Sequence, residues 1–163
     1  MTDSDFKSIF TEHKDAVYRF AWRMLASPQA AEDVTQDCFV ELLRCPERYD
    51  GTRGALRPFL LGVARNLVLK RWRAENRWSP LDEDARTDEQ PDVARLEVSE
   101  RVAQAVRSLP PLQREVLLLA EYEELTLEEI AAAVEAEVGT VKSRLHRARA
   151  NLRRMLTPLG RYP

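Results

Sequence analysis

The sequence predicts an all-α chain of two small helical domains joined by an acidic linker, and three observations carry that reading. The 163 residues are rich in Leu, Ala, Glu and Arg, with five glycines and no alternating β-branched runs, a composition that favours helices. Apolar residues recur at helical rather than strand spacing. The net charge of −2 conceals a segregation. Arg57–Arg77 holds six basic residues against one acid, Asp82–Glu100 holds eight acids against two arginines, and Thr140–Arg154 holds six basic residues and no acid. Two basic blocks flanking an acidic one point to two nucleic-acid surfaces separated by a linker. The predicted division is 1–78, a linker over 79–92, and 93–163.

With 44% hydrophobic and 32% charged residues, the chain can bury cores and is not disordered throughout. No apolar run approaches the ~18 residues that would span a bilayer. The N-terminus Met1-Thr2-Asp3-Ser4-Asp5 is acidic and has no signal-peptide pattern, so a cytoplasmic protein without a membrane partner is expected. On one helix, Cys38 and Cys45 would lie about 10 Å apart along the axis, too far for a disulfide. They are read as two reduced thiols. His13 and His146 show no metal-ligand spacing, and neither a metal nor another cofactor is expected.

The first helix is expected from about Asp5 to Ala26, with Phe6, Ile9, Phe10, Val17, Phe20, Ala21 and Met24 on its apolar side. Ser27-Pro28 reads as an N-cap followed by proline at the first helical position. The second helix then runs to about Arg44. It buries Ala31, Val34, Cys38 and Leu42 and turns Asp33, Gln36, Asp37 and Glu41 outward. Cys45–Gly54 is a loop containing Pro46 and Asp50-Gly51. The third helix, from about Leu56 to Trp78, tolerates Pro58 in its first turn. Leu56, Phe59, Leu60, Val63 and Leu67 form one apolar face, while Leu61 and Leu69 share the opposite side with Arg65 and Trp72. A helix apolar on both sides is packed twice or offers an interface.

Ser79–Pro91 has linker composition. A second helical unit is expected from near Val93, interrupted at Pro110-Pro111 and resuming to about Tyr122. Thr126 with Glu129 forms a capping box, with a hydrophobic staple between Leu125 and Ile130. The last helix runs from Val138 to about Leu156, on a stripe of Val138, Val141, Leu145, Ala148, Leu152 and Met155.

Thr126–Val134 and Val138–Leu156, separated by about three residues, fit a helix-turn-helix. Its second helix enters the major groove and offers its N-terminal half to base edges. Projection turns Ser143, His146 and Arg147 away from the apolar stripe and towards the groove. Lys142, Arg144 and Arg149 flank them at phosphate positions. A solvated basic helix in a bundle is the bland alternative. Arginines without compensating acids repel one another, which disfavours it.

These motifs carry a resemblance to the extracytoplasmic-function sigma family that covers almost the whole chain. Val138-Gly139-Thr140-Val141-Lys142-Ser143-Arg144-Leu145-His146-Arg147-Ala148-Arg149 resembles the region 4 helix that reads the −35 promoter element. Ser108–Glu115 and Glu129-Ile130-Ala131 also resemble region 4. Ala31–Phe39 resembles the region 2 helix that docks on the β′ clamp of RNA polymerase. Phe59–Leu67 resembles the helix that opens the −10 element.

The resemblance implies a region 2 bundle and a region 4 helix-turn-helix. It also implies core RNA polymerase (β′ clamp and β flap) and promoter DNA as partners, and allows an anti-sigma factor. On this basis Thr140, Lys142, Ser143, Arg144, His146, Arg147 and Arg149 contact the −35 element. Tyr49, Asp50, Arg53, Arg65, Asn66, Arg71 and Arg73 act at −10, Asn66 and the Tyr49–Gly54 loop holding a flipped base. Asp33, Gln36, Asp37 and Glu41 bind core polymerase. Melting needs a basic surface for the backbone and a pocket for an unstacked base, and Arg65, Arg71 and Arg73 suit the first.

Three positions depart from the family pattern: Glu135 where the helix-turn-helix turn usually has glycine, Phe59 where tryptophan is common, and Lys70 where an acid is common. With the sequence ending at Pro163, no further C-terminal domain is expected. A conventional helix-turn-helix repressor or activator is the alternative, and it requires a dimer and a palindromic operator. An enzyme is disfavoured. No Ser/His/Asp set, Gly-rich phosphate loop or metal cluster is visible, and Asp33 and Asp37 read as a solvated docking face. No catalytic residue and no small-molecule substrate is expected.

Overall fold

The computed structural model describes residues 1–52, 54–75 and 97–160. Among them every regular element is helical: α1 (Asp3–Leu25), α2 (Pro28–Arg44), a short 3-10 turn (Pro46–Arg48), α3 (Leu56–Ala74), α4 (Val98–Arg107), α5 (Pro111–Leu117), α6 (Leu127–Val134) and α7 (Val138–Gly160). A wider π turn, Leu118–Tyr122, continues α5. The predicted linker, the end of the third helix beyond residue 75 and the start expected near Val93 lie outside the described residues.

Local chemistry sets the boundaries. Thr2 and Asp5 form a capping box at the start of α1, two residues earlier than the apolar period alone indicates. Ala26 ends the helix in the left-handed region, at φ 54°. The Ser27 hydroxyl accepts a hydrogen bond from the Ala30 amide at 3.3 Å, ahead of Pro28. The Thr126–Glu129 box is closed in both directions, at 3.1 and 2.9 Å, so two otherwise orphaned amides at the start of α6 are satisfied. Leu125 and Ile130, the expected staple pair, are both buried.

The helix-turn-helix turn is strained at the position that lacks the family's usual glycine. Glu135 sits at φ 54°, ψ 47°, a left-handed conformation that costs a residue with a Cβ about 1–2 kcal/mol.

Helix α1 packs on α2 and α3, and α7 packs on α4, α5 and α6. Ala31, Val34, Cys38 and Leu42 are buried on α2, and Val141, Leu145 and Ala148 on α7. Phe10 departs from expectation. It remains 37% exposed, one of three rings stacked edge and face with Phe6 and Phe39. The Cys38 thiol donates to the Leu60 carbonyl at 3.4 Å, and burial pushes its pKa up to about 12. Both cysteines are free thiols.

The two halves are packed together. Helix α3 is buried twice, against α1 and α2 on one side and against α6 on the other. Leu61, Leu69 and Trp72 are all buried, which resolves the two-sided apolar pattern as an interface. Removing Leu61 and Leu69 from water contributes about 1.5–3 kcal/mol each. One continuous buried cluster runs from Val17 and Phe20 through Leu60 to Ile130 and Val141.

Candidate nucleic-acid and polymerase interfaces

The predicted −35 residues lie along the first half of α7. Lys142, Ser143, His146, Arg147 and Arg149 are exposed, whereas Thr140 and Arg144 are half-buried. The apolar stripe anchors the helix on α5 and α6, and the opposite side stands in solvent. Arg149 donates from Nε to Glu121 at 3.0 Å, a tie from the recognition helix back to the π turn. This face carries Lys142, Ser143, His146 and Arg147, exposed side chains that bear hydrogen-bond donors.

The predicted −10 residues are divided. Tyr49, Asp50 and Asn66 line one cleft of about 570 Å³ together with Phe59. The Tyr49 hydroxyl donates to the Gly54 carbonyl at 3.1 Å, and its ring lies 5.4 Å from that of Phe59. Asp50 accepts from the Thr52 amide and hydroxyl, at 2.9 and 2.6 Å, which fixes the loop in a tight turn. Two rings beside an exposed amide are the components needed to stack and read an unpaired base.

Arg65 is placed elsewhere. It is 9% exposed, forks onto Glu115 at 2.7 and 3.1 Å and donates to the Asn66 side-chain oxygen at 3.1 Å. Arg71 lies 3.7 Å from Asp33 and 3.6 Å from Glu75. Arg73 is exposed at the end of α3, and Arg53 lies outside the described residues.

On α2, Gln36 and Asp37 are exposed while Asp33 and Glu41 are half-buried. Glu41 pairs with Arg48 at 3.0 Å. Val40 and Leu43 stand on the outer side at 40% and 50% exposure, a pair the sequence reading did not single out. An apolar residue between Asp37 and Glu41, off the Val34–Cys38–Leu42 stripe, is the signal that identifies them. They give this face of α2 a mixed apolar and acidic character beside Asp37 and Glu41.

Sequence reasoning also missed three charged anchors between the halves. Glu115, fully buried, meets Arg65. Burial pushes the Glu115 carboxyl above its usual range, and the Arg65 guanidinium pulls it partly back. Glu123, equally buried, faces Arg57 at 2.6 Å, Arg19 at 3.5 Å and Arg23 at 3.8 Å. Arg114 donates to the Met24 carbonyl at 2.7 Å and lies over the Trp72 ring at 5.5 Å. The available signal was a run such as Leu112-Gln113-Arg114-Glu115-Val116, where charges interrupt an apolar helix that has no polar face to spare.

Residues 9–78 match the family described as Sigma-70 region 2, and residues 99–152 match Sigma-70, region 4. The ECF RNA polymerase sigma factor SigW of Bacillus subtilis is 31% identical over 169 residues, an overlap of 94% of this chain and 90% of the relative. The chain belongs to the extracytoplasmic-function (ECF) family of RNA polymerase sigma factors. The ECF sigma factor SigE of Mycolicibacterium smegmatis is 34% identical over 148 residues, which cover 87% of this chain and 58% of that longer relative. The sigma factor RpoE of Bartonella quintana, solved in complex with the anti-sigma factor NepR, superposes with a TM-score of 0.74 at 25% identity. That match covers 94% of this chain and 97% of that one. In sigma terms, α1–α3 lie in region 2 and α4–α7 in region 4, and Asn66 stands on α3 within the region 2 match.

Proposed function

We infer that this ECF sigma factor binds core RNA polymerase and directs promoter-specific initiation, reading the −35 element with α7 and opening the −10 element at the cleft formed by Tyr49, Phe59 and Asn66. The observation that carries the reading is the pairing of two unlike nucleic-acid surfaces in one chain. One is an exposed basic recognition helix, and the other is a ring-lined cleft with an exposed amide. A duplex-binding repressor has use for the first alone.

The roles follow from the chemistry. Arg147 suits guanine, Ser143 and His146 suit several base edges, and Lys142, Arg144, Arg149 and Thr140 suit phosphates or positioning. In the cleft, Tyr49 and Phe59 would stack an extruded base and Asn66 would bond its Watson–Crick edge, offsetting part of an unstacking cost of a few kcal/mol. Arg71, Arg73 and Arg53 would follow the backbone. Asp33, Gln36, Asp37 and Glu41, with Val40 at their centre, form the surface for core polymerase. The chain acts by binding rather than by catalysis, and its place of action is the cytoplasm, where its polymerase works. An anti-sigma protein is a further partner of the kind seen with the Bartonella relative.

The test of the cleft is Asn66→Ala. Closed binding to duplex promoter by the holoenzyme should persist while strand opening fails, and a template carrying a pre-melted −10 bubble should rescue the variant. Equal failure on duplex and bubble would remove Asn66 from opening.

A further inference from the structure

The acids of the helix-turn-helix are as segregated as its bases. From Glu121 to Glu137 the chain holds seven acids and no Lys or Arg, and from Thr140 to Arg154 it holds six basic residues and no acid. The first stretch spans the end of the π turn, α6 and the turn into α7, and the second is most of α7. One surface contact ties the two blocks together. Glu121 Oε1 accepts from both Nε and Nη2 of Arg149, at 3.0 and 2.5 Å, with the two side chains 48% and 51% exposed.

Glu121 is held in place from behind. It lies on the π turn, where Leu118 and Leu119 are fully buried and the neighbouring Tyr122 ring packs under the Arg23 guanidinium at 4.3 Å. The carboxylate therefore stands at a fixed point beside α7. An exposed ion pair of this kind adds little to folding stability, so its effect falls on whatever else Arg149 can bind.

Nε and Nη2 form an edge of the guanidinium that takes an oxyanion in two parallel bonds. Here one carboxylate oxygen holds that edge. A DNA phosphate arriving at Arg149 either displaces Glu121 or takes the remaining Nη donors and shares the arginine with it. Both routes set two anions side by side, and both detract from the counterion release that drives phosphate binding.

Resting on the reading of α7 as the −35 helix and of Arg149 as one of its phosphate contacts, we propose that Glu121 is a charge competitor built into the helix-turn-helix. In the free chain it takes the place of a DNA phosphate on Arg149 and lowers sequence-independent affinity. Ser143, His146 and Arg147, the residues assigned to base edges, take no part in the pair. The competitor thus reduces the share of binding that is blind to sequence, leaves base discrimination unchanged, and makes the factor depend the more on core polymerase to bring it to DNA.

The test uses the whole chain and a fluorescein-labelled duplex of about 25 base pairs of mixed sequence, followed by anisotropy from about 50 to about 200 mM NaCl, where phosphate contacts are read as a salt slope. Glu121→Gln keeps an acceptor for Arg149 and removes only the charge. It should bind about three- to tenfold more tightly than wild type at the low-salt end and steepen the slope of log affinity against log salt by up to about 0.9, the share of one phosphate. Glu124→Gln removes an exposed acid three positions on and reports the effect of net charge alone, which should be the smaller gain. In an Arg149→Ala background, Glu121→Gln should gain no more than Glu124→Gln. Equal gains from the two glutamine variants, a gain that persists without Arg149, or weaker binding by Glu121→Gln overturns the proposal. Arg149→Ala alone separates that failure from failure of the reading beneath it. Weaker binding with a shallower slope keeps Arg149 on the phosphates whatever Glu121 does, whereas unchanged affinity and slope remove Arg149 from DNA and the proposal with it.

Discussion

Glu115 accepts two hydrogen bonds from Arg65 across the contact of the two halves, at 2.7 and 3.1 Å, although the two lie 50 positions apart in the sequence. The pair ties the buried Arg65 guanidinium of one half to the other. Removing one partner of a buried pair strands the other, at a cost of about 3–5 kcal/mol. Glu115→Ala should therefore drive the halves apart, with helicity kept and the radius of gyration raised in small-angle scattering. A variant that remains as compact as wild type would show that the pair does not hold the closure.

The same carboxyl sets a pH dependence. Burial raises Glu115 above its ordinary value of 4.5, so its contribution to the closed packing is complete below that pH and is lost as pH rises through the raised value. Glu115→Gln is neutral throughout. Measured by urea unfolding, wild type should lose ground relative to that variant as pH rises above about 4.5. A difference that moves in favour of wild type would mean that the pull of Arg65 outweighs burial.

On α7, Arg147→Ala should weaken −35 binding by about 1–3 kcal/mol and relax the base preference. Lys142→Ala should weaken all sequences about equally and reduce the salt slope. Competition binding with holoenzyme at two salt concentrations separates them. The same loss of discrimination in both variants would contradict the assignment of faces.

For the polymerase surface, Asp37→Lys should lower core affinity by at least about tenfold, roughly 1.4 kcal/mol, without changing the circular dichroism spectrum. Asp37 is exposed and off the buried stripe. Unchanged affinity in a native-gel or fluorescence assay would take Asp37 out of the interface.

Much of the fold was legible because it is local. Ser27-Pro28, the Thr126–Glu129 box and the apolar stripes of α2 and α7 are short-range signals, and each appears where the sequence places it. The turn at Glu135 was legible in the same way, as a left-handed position lacking its glycine. The doubled apolar character of α3 announced an interface without naming the other side. That partner was not legible, because the match of Arg65 to Glu115 or of Gly62 to Ala133 is a long-range coincidence with no period in the sequence. For the same reason Arg65 read as a free cation in a basic stripe, when its nearest charge lies on a helix from the other half.

The most direct measurement of the central claim is run-off transcription from a promoter fragment identified by sequencing transcripts after overexpression. Core RNA polymerase with this protein should give one specific start, and neither component alone should do so. The free protein should bind the same duplex weakly, because only core polymerase would set its two DNA surfaces at promoter spacing. Absence of specific transcripts with core polymerase, together with tight binding of the free protein to a palindromic duplex, would contradict the account and mark the chain as a conventional repressor or activator.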